Sequence, residues 1–433
     1  MKKNLFLLSA IVLSGAMFSC ASSEDIDNSE TKRVVNMLSE PVPVQLTGEQ
    51  RVFVNDNNKF TLNFLKTVNE TDRSGKSFVY SPLSITYALG MVNDAAIGKT
   101  EEELEQTLGF HQGGIQAVNE FCKNLIDNLP KVDDKVTLSI ANAIFVNEKY
   151  KLKKQFEQDV ATYYGAKAEA LNFEESKKSA SVINKWCNDK TNGMIPNIID
   201  ETNKNAVSYL LNAIYFKADW TSKFDAKNTK EELFDGKTKV PMMHQKVLIS
   251  YLKNNTYSAV ILPYGSGLWN MMILLPEEGK STDDVINELA QGSSLNNRGW
   301  CTTGCNTFEA YEVDLKLPRY ETESDTDNNE VGGLIPLMQK LGIHLAFDSE
   351  FSEIPNMCED SNLFVSMMRQ KAKIKVNEEG SEAAAVTIAG MELSSVGHIE
   401  YPKATFHANR PFVYAISENS SGVILFVGKF TGK

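Results

Sequence analysis

The sequence predicts an α+β fold, on three observations. Apolar residues recur at helical spacing through most of the first half of the chain. Short alternating or wholly apolar runs bounded by turn residues crowd the second. The 433 residues are 42% hydrophobic and 23% charged, an ordinary globular composition with ample length for a core. Length alone predicts two or three domains, and no internal repeat is present.

In chain order, FTLNFLKTV (60–68) repeats apolar residues at three and four. SPLSITYALGMVNDAA (81–96) places serines before an apolar helix, a start signal. Thr100, followed by Glu101, Glu102 and Glu103, sets acids in a first turn, where the helix dipole favours them. Residues 55–130 are therefore expected to be mainly helical. VTLSIANAIFVN (136–147) is expected as a strand, and 150–195 as a return to helix ending in INKWCNDKTNG. SYLLNAIYFKADW (208–220) has the composition of a buried strand. YSAVILPYG, WNMMILLPEE and VDLKLPRYETES are expected strands, and 362–376 runs apolar–polar into VNEEG. ATFHANRPFVYAISE and SGVILFVGKF close the chain as two strands joined by a turn at Asn419 to Gly422.

The N-terminus carries Lys2 and Lys3, an apolar run, then small residues up to Cys20, the layout of a secretory signal over 1–19. Ser19–Cys20 resembles a lipobox, in which the cysteine is lipidated, although Phe18 departs from the usual small residue. ASSEDIDNSE then resembles the acidic tether of a surface-exported lipoprotein, so 20–50 is expected as tether and 51–433 as the folded domain. The expected location is a bacterial membrane, anchored through Cys20, with a secreted or periplasmic protein as the alternative.

The net charge of −12 gives phosphate backbones little to bind, which disfavours nucleic acid. Beyond Cys20, the sparse odd set Cys122, Cys187, Cys301, Cys305 and Cys358 is not a disulfide framework, and no histidine stands near Cys301 and Cys305 to complete a zinc site. The five histidines form no HExxH, and no nucleophile elbow, P-loop or dinucleotide fingerprint occurs. The adjacent Glu378 and Glu379 read as a solvated pair on a turn. No candidate nucleophile with a base emerges, so the expectation is not an enzyme, with no cofactor and no metal.

FHANRPFVYAI (406–416) resembles the signature of serpins, the conformational protease inhibitors. FVYSPLSITYALGMVNDAAIGKT, NAIYFKADW, INKWCNDKTNG, MMILLPEE, LPRYETES and LGIHLAF follow in the family's order over roughly residues 50–433. The resemblance implies one domain with three β-sheets, eight or nine helices and an exposed reactive loop, here about 378–405. It implies a monomer that forms a covalent complex with a target serine protease, or sometimes a cysteine protease. A non-inhibitory binding or chaperone-like member is the alternative. By resemblance Ser81, Ser84 and Asn212 belong to the region where the main sheet opens, with Gln370 where many members have histidine. Residues 288–310 and the stretch from Gly380 to Pro411 are longer than the family's norm.

EEGSEAAAVT (378–387) resembles the family's loop hinge: Glu378, Glu379, Gly380, Ser381, Glu382, Ala383, Ala384, Ala385, Val386 and Thr387. Alternation along a strand puts Ser381, Ala383, Ala385 and Thr387 on one face, all small and uncharged, and Glu382, Ala384, Val386 and Ile388 on the other. No proline lies between Pro355 and Pro402 to interrupt a ladder. Counting from the hinge glycine by the family's spacing sets the scissile bond between Ser394 and Ser395, with Leu393 and Met391 as alternates. Counting back from Pro411 gives Gly397 to Glu400 instead. No lysine or arginine occurs between Lys375 and Lys403, which disfavours trypsin-like targets.

Overall fold

The computed structural model describes residues 40–111, 113–292, 308–327, 332–359, 362–381 and 400–433. Cys20, Cys301, Cys305, Glu382, Ala383, Ala384, Ala385, Val386, Thr387, Met391, Leu393, Ser394 and Ser395 therefore lie outside the described residues. Helix α1 (Gly48–Thr71) starts from a capping box, in which Gln50 N donates to the Thr47 hydroxyl and Thr47 N to the Gln50 side chain. The body begins before residue 51. Val44 is buried, Leu46 packs on the core, and Val42 N donates to Val132 O at 2.8 Å. The expected start of the folded domain at 51 is therefore too late, because these apolar residues dock.

The helices continue as α2 (Pro82–Ala95), α3 (Gly98–Leu108), α4 (Gly114–Asn128), α5 (Lys154–Tyr164), α6 (Ser176–Lys190), α7 (Thr282–Gln291) and α8 (Leu334–Leu341). The early strands are β1 (Phe78–Tyr80), β2 (Val136–Asn147), β3 (Lys167–Leu171) and β4 (Ser208–Asp219). Next come β5 (Lys230–Phe234), β6 (Thr238–Lys253), β7 (Tyr257–Tyr264) and β8 (Trp269–Pro276). They are followed by β9 (Glu309–Pro318), β10 (Tyr320–Asp325), β11 (Met367–Val376) and β12 (Gly380–Ser381). The chain closes with β13 (Lys403–His407), β14 (Phe412–Glu418) and β15 (Ile424–Phe430).

Among the described residues hydrogen bonding joins the strands into two sheets where the resemblance implies three. One has nine strands, in the order β1-β15-β14-β8-β7-β6-β9-β13 with β5 beside β6. The long β6 joins what would be separate sheets: β5 and β9 flank most of it, while β7 pairs only with Ser250–Lys253. The other sheet has the order β10-β11-β12-β4-β2-β3. Helix α2, buried along nearly its whole length, touches β2 and β4 of the six-stranded sheet and β15 of the other. It therefore couples the two sheets through one apolar core.

The expected strands at 136–147 and 208–220 form as read. Three segments differ. Residues 167–171, KAEAL, form β3 within the expected helical stretch, because pairing with β2 outweighs the helical preference of alanine and glutamate. The 313–324 segment breaks at Arg319 into β9 and β10, which belong to different sheets. The C-terminal segments form three strands, since Asn409 to Pro411 separate β13 from β14.

Candidate functional site

At its centre the six-stranded sheet is built from two unlike halves. Along one half β11 and β4 pair directly and parallel, from Met367 opposite Tyr209 to Lys371 opposite Ala213. At the other end β12 lies between them, antiparallel to both: Ser381 opposes Ala218 of β4 and Val376 of β11. The hinge residues Gly380 and Ser381 are thus already in the sheet. Both are buried, so the reactive loop does not leave the body at 378 as the resemblance implied. Gly380 has φ +155°, and a Cβ there would collide with the Ala218 carbonyl oxygen, which explains the glycine.

Ser381 faces the core, as the alternation argument requires. Its Oγ lies 2.7 Å from the Tyr264 hydroxyl, and both groups are buried. Tyr264 stacks on Trp220, with ring centroids 4.3 Å apart at 10°. Burial pushes the Tyr264 phenol well up, only partly offset by the bond to Ser381, so it stays protonated.

The turn from Asn377 to Glu379 is tied down by five residues. Trp220 N donates to Glu379 O at 2.7 Å, and its indole N–H to Asn377 O at 2.9 Å. Phe224 N donates to Glu378 O. Lys223 binds Glu379 and Asp219 at 2.6 and 2.8 Å. Arg319, from the break between β9 and β10, donates through two nitrogens to Glu378, whose Oε1 also accepts from Thr229.

Glu378 is therefore not a solvated acid as its sequence context predicted. Its side chain is 8% exposed and paired. Burial pushes its carboxyl up, but the bonds from Arg319 and Thr229 outweigh this and hold it below its ordinary value of 4.5. A depressed folded value means that the pair's stability is complete above pH 4.5 and is lost as pH falls through the lower folded value. Glu378→Gln should cost about 1–2 kcal/mol at pH 7, since Arg319 is half-exposed. The two proteins should converge in acid. Urea melts at pH 7 and pH 3 check this, and an equal gap at both would contradict it.

Where β4 and β11 meet directly, Gln370 closes the sheet. Its Nε2 donates to Asn212 Oδ1 and to Ser81 O, both at 2.9 Å, and its Oε1 accepts from Ser81 N at 3.0 Å. Asn212 donates onward to Asn142 Oδ1 at 2.8 Å. Ser81 caps α2, its hydroxyl donating to Ser84 Oγ at 3.0 Å. The structure thus brings Ser81, Ser84, Asn212 and Gln370 into one buried network. Gln370 satisfies its partners fully, so the replacement gives no reason for premature opening of the sheet. Among the described residues no cluster could hold a metal, and Cys122, Cys187 and Cys358 are buried free thiols.

Sequence reasoning missed Tyr264, Trp220's clasp, Arg319, Lys223 and Thr229. These residues meet Asn377, Glu378, Glu379 and Ser381 across 59 to 157 positions, and only Trp220 in NAIYFKADW and Arg319 in LPRYETES stood in quoted family motifs as a possible signal.

The family model described as Serpin (serine protease inhibitor) matches residues 55–432. A leukocyte elastase inhibitor of Sus scrofa is 32% identical over 388 residues, covering 87% of this chain and 98% of its own. Neuroserpin of Gallus gallus is 30% identical, with 82% and 86% covered. Among solved structures, a highly specific serpin of the insect Tenebrio molitor superposes with a TM-score of 0.76 at 25% identity, covering 90% of this chain and all of its own. Thyroxine-binding globulin in complex with thyroxine gives 0.70 at 25%, with 88% and 98% covered. Sequence motifs, fold and relatives agree: the chain belongs to the serpin family, whose members are mostly protease inhibitors and are not catalysts.

Proposed function

We propose that this protein is a suicide-substrate inhibitor of serine proteases with elastase-like, chymotrypsin-like or subtilisin-like pockets, with cysteine proteases as a secondary class. The observation that carries the reading is β12, already antiparallel to both β4 and β11. In the family's known mechanism the protease serine attacks a loop carbonyl, here that of Ser394, and expels the amine of Ser395 to leave an acyl-enzyme. Leu393 and Met391 are the alternate acylated residues. The freed segment then enters the sheet, replacing one parallel contact by two antiparallel ladders, the more stable pairing per residue.

Continuing the register of Ser381 sets Thr387 opposite Asn212 on one side and Gln370 on the other. Ala383 and Ala385 share its core-facing side and leave room to slide. Some 14 residues at about 3.3 Å each carry the bound protease roughly 45 Å. The protein acts as a monomer, and Cys20 anchors it by lipid to a bacterial membrane, at the outer surface in the fullest form of the proposal.

The test mixes the mature protein with a pancreatic elastase and, separately, with trypsin. A band at the summed mass on a denaturing gel is expected with elastase and not with trypsin, and the released peptide's mass identifies the bond. Loop cleavage by every protease tried, without such a band, favours a non-inhibitory member of the family. For the anchor, Cys20→Ala should move the protein from the membrane fraction to the soluble one. Retention in the membrane fraction would refute lipidation at Cys20.

A further inference from the structure

We infer that Tyr264 is a positioning residue for the reactive segment, holding the hinge in the sheet before any bond is cut. The inference rests on the inhibitory reading for its consequence but not for its geometry.

Tyr264 ends β7 and thus belongs to the nine-stranded sheet, while Ser381 belongs to the six-stranded one. The 2.7 Å hydroxyl pair is therefore a bond between sheets, made from beneath the point where β12 enters. The Tyr264 ring has little freedom to turn away. Trp220 stacks on one face, Phe216 meets it edge-on at 5.5 Å, and Trp220 and Tyr264 form an isolated backbone bridge. Trp220 also clasps Asn377 and Glu379 of the hinge turn. One rigid pair of rings thus fixes the turn through Trp220 and the inserting strand through Tyr264.

Withdrawal of Ser381 would leave a buried phenol without this partner, a state that protein interiors disfavour. The hydroxyl accordingly biases the hinge towards the seated position. Insertion after cleavage then extends a strand that has already started, and the next residues to enter are Glu382 and Ala383. Starting an ordered element is its unfavourable step, so a seated start shortens the race between insertion and hydrolysis of the acyl-enzyme.

The experiment compares the full chain with Tyr264→Phe, Ser381→Ala and the double variant. The first readout is hydrogen exchange in peptides spanning 376–382. Tyr264→Phe should raise exchange there by about tenfold, the effect of losing one buried hydrogen bond. Ser381→Ala should match it, and the double variant should add nothing further, because all three lack the same bond. Unchanged exchange in Tyr264→Phe, or additive effects in the double variant, would overturn the inference. Ser381→Ala keeps the Tyr264 ring in place, so it decides the matter even if Tyr264→Phe folds poorly. The second readout is the fraction of protease trapped, which should fall in both single variants while the rate of loop attack holds or rises. An equal trapped fraction in parent and variants would also overturn the inference. If the parent traps no protease, the proposed function fails, and the exchange comparison still reads the seat.

Discussion

Ser381→Arg should convert the inhibitor into a substrate. The hinge serine is buried, with its hydroxyl against Tyr264 and its Cβ aimed into the core between the two sheets. Among the described residues, its paired neighbours Tyr264, Ala218 and Val376 offer a guanidinium no acidic partner, and burying it unpaired costs about 3–5 kcal/mol. The uncleaved protein can avoid that cost by withdrawing Gly380 and Ser381 from the sheet. Its melting temperature should therefore change little. The acyl-enzyme cannot avoid it, because insertion must carry residue 381 through the same site. Insertion slows by several powers of ten, and hydrolysis wins. Denaturing gels should show cleaved inhibitor and free, active protease in place of the covalent band. An unchanged yield of covalent complex would sink both the seating of Ser381 and the insertion mechanism.

Gln370→Leu should have the largest effect on the intact protein. The leucine fills similar space but leaves Ser81 N, Ser81 O and Asn212 Oδ1 without the bonds that Gln370 supplies. Each buried orphan costs about 1–3 kcal/mol, and partial relaxation leaves a net loss of about 3 kcal/mol or more. The loss falls where β4 and β11 meet directly, so the sheet should open there first. An open sheet presents two unpaired strand edges, which accept a strand from another molecule. Native gels after mild heating should show ladders of polymers for Gln370→Leu at temperatures where the parent remains monomeric. A variant that melts early yet stays monomeric would place the weakness elsewhere.

Much of the site was legible because it is local in sequence. The core-facing side of Ser381, the helix cap at Ser81 and the strand carrying Asn212 each follow from a few adjacent residues. What was not legible is non-local. Glu378 looked solvated because its neighbours are Glu379 and Gly380, yet its environment is set by Arg319 and Thr229, brought in by other strands. The long strand β6 carries no clean alternation and holds Pro241 within it, so its pairing with β5, β7 and β9 is what reveals it. Strand β3 is short, rich in alanine and charge, and exists because β2 offers an edge.

The parallel contact between β4 and β11 bears on how the protein ages. A chain that can exchange this contact for two antiparallel ladders has not reached its lowest free energy on folding. On the proposed mechanism its active form is held by a barrier, and its lifetime is a rate rather than an equilibrium constant. Thermal scans at different heating rates should therefore give different apparent midpoints, and a stored sample should lose trapping capacity while its circular dichroism hardly changes. On that mechanism each molecule is a loaded spring with a clock, and the bonds of Gln370 to Ser81 and Asn212 are where its escapement would sit.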